Sequence, residues 1–129
     1  MNSLRLSHIL LLAALLLGCS SLHECSEEQL LEVRSPSGRH TAVLFARNCG
    51  ATTSYVYHVN LKSASNVFSK DWNGTIHEGE VFVIAQKVPE LTWESETKLL
   101  IQCPSCTPSK PVHLVKAWNQ VEITYESGK

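Results

Sequence analysis

Cysteine carries most of the chemistry this chain could perform, and there are five of them. Cys103-Pro104-Ser105-Cys106 has the spacing of a dithiol. In thioredoxin-like sites that spacing opens a helix, whose N-terminal dipole lowers the pKa of the first thiol and makes it a nucleophile. Here Thr107-Pro108-Ser109-Lys110-Pro111 follows, and two prolines so close together oppose a helix. No strand–helix–strand pattern surrounds the pair, so a structural loop disulfide is expected. With His113 or His77 the same sulfurs would suit zinc or copper. A structural zinc site shows two close ligand pairs, however, and only one is visible. No metal and no cofactor are expected. A periplasmic metal-binding or thiol-redox protein using Cys103, Cys106 and His113 remains the alternative function.

A second cluster is Arg47-Asn48-Cys49-Gly50-Ala51-Thr52-Thr53. Small residues let a ligand or another backbone approach, and two hydroxyls with free N–H groups suit a polar or anionic group. The Arg47 guanidinium fork would match a carboxylate or phosphate. Arg47, Gly50, Thr52 and Thr53 are therefore the candidate binding surface. The competing reading is a tight turn with Gly50 at positive φ, fixed by a disulfide. No G-x-S-x-G elbow is present, and the scattered histidines carry no catalytic motif, so the chain is not read as an enzyme. Glu78, Glu80, Glu94 and Glu96 lie in or beside turns and are expected to be solvated. Trp72, Trp93 and Trp118 are expected to pack in or against the core. Asn73-Gly74-Thr75 is a glycosylation sequon, meaningful only in a host that glycosylates exported proteins.

The elements that position these groups come after a leader. One Arg, the apolar run Ile9 to Leu17 and the small residue Gly18 make up a secretory signal peptide. Nine apolar residues are too few to span a bilayer, which takes about 20. Leu16-Leu17-Gly18-Cys19 resembles a bacterial lipobox, in which the Cys receives a diacylglyceryl group and becomes the first residue after cleavage. Residues 1–18 are thus expected to be removed and Cys19 to be lipidated, with two or three acyl chains giving stable anchoring. Ser20, where an Asp would signal inner-membrane retention, implies the outer membrane facing the periplasm if the host is Gram-negative.

The mature chain would hold 111 residues with a charge of −2, because the leader takes one Arg and no acid. That size supports a single core. With no basic excess, nucleic acid is an unsuitable partner. Cys25, Cys49, Cys103 and Cys106 suggest two disulfides in an oxidising compartment, with three possible pairings. Cys25–Cys49 with Cys103–Cys106 is preferred, since each bond then lies within one half of the chain. The first would contribute roughly 3.5 kcal/mol by chain entropy. If Cys25 is bonded into the fold, only residues 20–24 remain free, a reach of about 18 Å. Glu24 in this stretch, with Glu27 and Glu28 just after it, would repel anionic lipid, so the lipid and not a basic patch does the anchoring.

Beyond the leader no sustained 3.6-residue period appears, and Ser26 to Leu31 is at most one helical turn. Residues 19–29 read as lipidated Cys and short tether, and 30–129 as one all-β domain. Leu31 to Arg34 leads into the turn Ser35-Pro36-Ser37-Gly38. His40 to Arg47 is apolar on both faces, which predicts a strand covered on both sides. In the next strand Tyr55, Tyr57, Val59 and Leu61 alternate with Val56, His58, Asn60 and Lys62; the first set is the core side, and His58 is expected at the surface. Ser63 to Glu80 is too long for a structureless loop, so part of it should pack or pair. Strands follow at Val81 to Gln86, Leu91 to Trp93, Lys98 to Cys103, His113 to Lys116 and Val121 to Tyr125. Seven or eight strands predict a small, disulfide-stapled antiparallel meander forming a sandwich or open barrel.

The stretch from Ser35-Pro36-Ser37-Gly38 through Arg47-Asn48-Cys49-Gly50-Ala51-Thr52-Thr53 resembles a family of small, uncharacterised bacterial envelope proteins with an S-P-x-G strand and an R-[DN]-C-G-A-T-T motif. The likeness covers about 25 residues well; it implies an exported bacterial protein and brings no reaction with it. The expected function is that of a lipid-anchored envelope protein, a non-catalytic binding or envelope-assembly module. Its partners would be the membrane, through the anchor, and an envelope protein. An inhibitor or immunity-type protein that blocks a partner enzyme is a further alternative.

Overall fold

A computed structural model describes residues 25–106 and 110–128. The leader, the Cys19 lipidation site and tether residues 20–24 lie outside the described residues. Among the described residues, nine strands form two sheets: β1 (Ser26–Arg34), β2 (His40–Asn48), β3 (Val56–Ser63), β4 (Glu80–Ala85), β5 (Glu90–Ser95), β6 (Lys98–Cys103), β7 (His113–Leu114), β8 (Ala117–Trp118) and β9 (Val121–Ser127). The first sheet runs β1-β2-β3-β4-β7, and the second β5-β6-β9-β8. The all-β class holds.

Period-2 alternation builds the core between the sheets. Ala42 and Leu44 of β2, Val59 and Leu61 of β3, and Phe82 and Ile84 of β4 meet Leu99 and Ile101 of β6 and Val121 and Ile123 of β9. Trp93 and Trp118 pack against this core as expected. The Trp93 indole also donates to the Val33 carbonyl at 3.0 Å, joining the edge strands of the two sheets.

Several expectations need correction. The fold is not a purely antiparallel meander: β6 and β9 pair in parallel, Leu99 opposite Ile123 and Ile101 opposite Tyr125. Parallel neighbours need a crossover; the chain makes it by laying β7 on the far edge of the first sheet and returning through β8. The stretch from Ser26 to Leu31 is strand, not helix or tether, so the domain begins before residue 30. Ladder pairing with β2 overrides the weak strand propensity of its glutamates. Trp72 is 82 % exposed and contributes nothing to the core.

Cys25–Cys49 and Cys103–Cys106 are both bonded. The first joins the start of β1 to the loop after β2, beside the Ser26–Asn48 pair. At the other end of β1, Glu96 stitches the Ser35–Gly38 turn to the β5–β6 hairpin. Its carboxylate accepts from the Ser35 hydroxyl at 2.9 Å and the Ser37 N–H at 2.8 Å, with Arg39 3.5 Å away. This corrects the expectation of a merely solvated acid.

Hydrogen bonds from the Ser37 side chain and backbone, supported by Ser35 and Arg39, outweigh desolvation and lower the Glu96 pKa from 4.5 to about 2. A lowered carboxylate contributes stability above its unfolded value and loses it as pH falls through the folded one. Unfolding midpoints should therefore decline between pH 4.5 and about 2. In urea titrations across that range, Glu96→Gln should be less stable than wild type at neutral pH and should show a flatter decline.

Candidate functional site

The outer face of the first sheet is where polar chemistry collects. Register sends Glu27 and Gln29 of β1, Val43, Phe45 and Arg47 of β2, His58, Asn60 and Lys62 of β3, and Glu80 of β4 to this side. Residues 64–79 cross it as a cover. Ile76 packs on Val43 and Phe45, and Phe68 meets Phe45 edge-on with ring centres 5.8 Å apart. The strand with apolar residues on both faces is thus covered on both, as its sequence predicts.

Beneath the cover lies a chain of charges. Glu27, its side chain 1 % exposed, binds the Arg47 guanidinium at 2.5 Å. The two residues also grip one residue of the cover through both of its backbone polar groups: Ile76 N–H donates to Glu27 at 3.3 Å, and Arg47 donates to the Ile76 carbonyl at 3.2 Å. Arg47 reaches Glu80 at 3.9 Å, and Glu80 bonds His58 Nδ1 at 2.8 Å. Burial raises the Glu80 pKa, but the His58 hydrogen bond and the charges of His58 and Arg47 lower it by more, leaving it below the ordinary carboxylate value. Asn60 donates to the Glu78 carbonyl at 2.9 Å.

His58 and Glu80 are both displaced from where sequence pattern put them. His58 is 2 % exposed, not a surface residue, and Glu80 is half-buried in the charge chain. The same close packing fixes Gly79, at φ +67°: a Cβ there would stand 2.0 Å from the Leu61 carbonyl oxygen. Arg47 belongs to this network. The rest of the expected binding surface closes on itself: Asn48 Oδ1 accepts from Gly50 N–H at 3.0 Å, and Thr53 donates through N–H and hydroxyl to the Gly50 carbonyl. Gly50 has φ +140°, the tight-turn conformation. Thr52 is exposed beside it.

Beside the charge chain opens a cleft of about 270 Å³, lined by Phe45, Phe68, Val67, Ile76, Lys62 and Lys70 together with Glu27 and Gln29. Lys62 Nζ stands 5.3 Å from the centre of the Phe68 ring. Among the described residues no carboxylate lies within 4.0 Å of Lys62 or Lys70. A second hollow, of about 380 Å³, lies between β7 and β9, against Leu114, Ile123 and Tyr125. It lacks the clustered cations and aromatics of the first. Sequence reading missed this cleft, because its walls come from three strands and a loop without periodicity.

The dithiol candidate resolves differently. Cys103 and Cys106 bracket a 3₁₀ turn at Pro104–Cys106, and both are fully buried. Gly128 closes over the turn, its N–H donating to the Cys103 carbonyl at 3.1 Å. An attacking thiolate would have to reach a sulfur that solvent does not. His113 is exposed on β7, and His77 bonds Asp71 at 3.2 Å. Among the described residues no three His, Cys, Asp or Glu side chains converge on a metal position.

Removing one partner of a buried ion pair leaves an uncompensated charge and costs about 3–5 kcal/mol, whereas replacing both by apolar groups is often nearly neutral. Arg47→Met should accordingly lower unfolding stability by an amount in that range. Glu27→Leu with Arg47→Met should recover most of it, both measured by urea unfolding. In the single variant, amide exchange at Ile76 should accelerate, since the bond to its carbonyl is lost and the Glu27 carboxylate that accepts its N–H is left without its guanidinium partner. No family model, no curated protein and no solved structure matches the chain, so the site is read from its own geometry.

Proposed function

We propose that this chain is an exported, lipid-anchored envelope protein whose β-sandwich acts by binding, without catalysis, through the loop-covered face of its first sheet. The observation that carries the reading is the pairing of an amphipathic cleft with an exposed apolar rim. Trp72 and Val67, 82 % and 86 % exposed, stand on the same loop that walls the cleft with Phe68 and Lys70. Large apolar side chains left in water on a covering loop mark contact surfaces better than they mark packing. The groups best suited to reaction chemistry are engaged in structure instead: His58 Nδ1 and Glu80 in a buried charge chain, Cys103 and Cys106 in a buried bond.

The address rests on the lipobox-like Leu16-Leu17-Gly18-Cys19 and on the likeness of the Ser35–Thr53 stretch to small bacterial envelope proteins. Two disulfides fit an oxidising compartment. In a Gram-negative host, Ser20 would place the protein at the outer membrane, facing the periplasm.

Metabolic labelling with palmitate tests the anchor. The expressed protein should take up label, and Cys19→Ala should take up none; label persisting in the variant, or missing from the wild type, overturns the reading. Thiol titration of the native protein addresses the redox alternative. It should find no reactive sulfhydryl without reductant and denaturant, whereas two would favour a working dithiol at Cys103 and Cys106.

A further inference from the structure

The point where the chain enters the fold lies against the loop that carries Trp72. Asp71 organises that loop: its carboxylate accepts from the Asn73 and Thr75 N–H groups at 2.9 Å each, and the Gly74 N–H donates to the Asp71 carbonyl at 3.0 Å. Gly74, at φ +78°, rests so close to the start of β1 that a Cβ there would stand 3.3 Å from the Cys25 carbonyl oxygen. Cys25 is itself fixed by its bond to Cys49. Only residues 20–24 separate it from Cys19, a reach of about 18 Å at full extension.

We infer that the rim of this loop, Val67 and Trp72 with Lys62 and Lys70 behind them, rests on the phospholipid surface into which Cys19 is anchored. The inference rests on the lipid-anchor reading and names the partner of the proposed binding face. Tryptophan suits the headgroup level of a bilayer, where its ring is half in apolar surroundings and its N–H stays wet. The two ammonium groups, without carboxylate partners within 4.0 Å among the described residues, complement headgroup phosphates. The acidic repulsion anticipated for this end of the chain is smaller than the sequence suggests. Glu27 is buried against Arg47, and the Asp71 carboxylate is taken up by two backbone N–H groups and His77. Glu28 and Glu78 remain exposed, so the contact is apolar first and depends on the anchor to hold it in place.

The test uses the lipidated protein in vesicles of phosphatidylethanolamine and phosphatidylglycerol containing a phospholipid brominated near the headgroup, a contact quencher of indole. One tryptophan of the three at the interface should cost roughly a third of the total emission. Trp72→Phe should abolish that loss while the protein still floats with the vesicles. Protein that floats without quenching overturns the contact, leaves the anchor standing and frees the face for a protein partner. Quenching that persists in Trp72→Phe overturns it as well. Protein that fails to float overturns the anchor and the contact together.

Discussion

A carboxylate taken fully out of water must be compensated, and Glu27 is compensated by Arg47. Everything on the outer side of the first sheet is organised around that requirement. The Arg47 guanidinium needs further acceptors and finds Glu80 and the Ile76 carbonyl; the second Glu27 oxygen accepts from the Ile76 N–H. One ion pair therefore secures a loop backbone as a ladder would, with one donor and one acceptor on the same residue. With Ile76 held there, its side chain caps Val43 and Phe45, and that apolar contact keeps water away from the charges beneath. Charge pairing and burial support each other here, and neither would persist alone.

The disulfide at Cys25 and Cys49 acts on the same place. Ser26 pairs with Asn48 and Glu27 with Arg47 directly inside the covalent link. A strand end normally frays, yet this one carries the buried carboxylate on its second residue. Covalent closure holds the β1–β2 register where a slip by one position would turn Glu27 inward and leave Arg47 unpaired. The opposite end of β1 is held by Glu96 and by the Trp93 indole. The edge of the sandwich at which the described chain begins is thus fixed at both ends.

How much of this was legible depends on the range of the cause. Alternation along His40–Arg47 and Tyr57–Leu61 reads correctly, because a strand's two faces are set by neighbours two residues apart, whereas Tyr55, expected on the core side, precedes β3 and is exposed. The disulfide pairing and the Lys98–Cys103 strand were equally accessible. His58, Asn60 and Glu80 were misplaced because polar residues alternating with apolar ones normally face solvent. Here the solvent side is roofed by residues 64–79, whose Val67, Phe68, Trp72 and Ile76 follow no period. Their division into inward Phe68 and Ile76 and outward Val67 and Trp72 is a tertiary outcome. The parallel pairing of β6 and β9 likewise requires a crossover through the other sheet, which no local pattern encodes. Of the expected binding surface, the sequence picked out Arg47 but not its purpose. The guanidinium chosen as a ligand fork holds the roof instead.

The contrast within that roof bears on what the face does. A loop that served only to cover Val43 and Phe45 could end its work with Phe68 and Ile76. Residues 64–79 also carry a tryptophan and a valine into water, and neither helps the core. Exposed apolar surface of this kind raises the risk of aggregation and returns no stability to the isolated domain. On the lipid-anchor reading proposed above, its location removes the difficulty, since Gly74 lies against the Cys25 carbonyl and five residues would separate Cys25 from a lipidated Cys19. At that distance from the proposed membrane the rim would meet headgroups before it met another protein. On that proposal the same two side chains, a liability in bulk water, become a second contact beside the anchor, one that would turn a swinging tether into a fixed orientation.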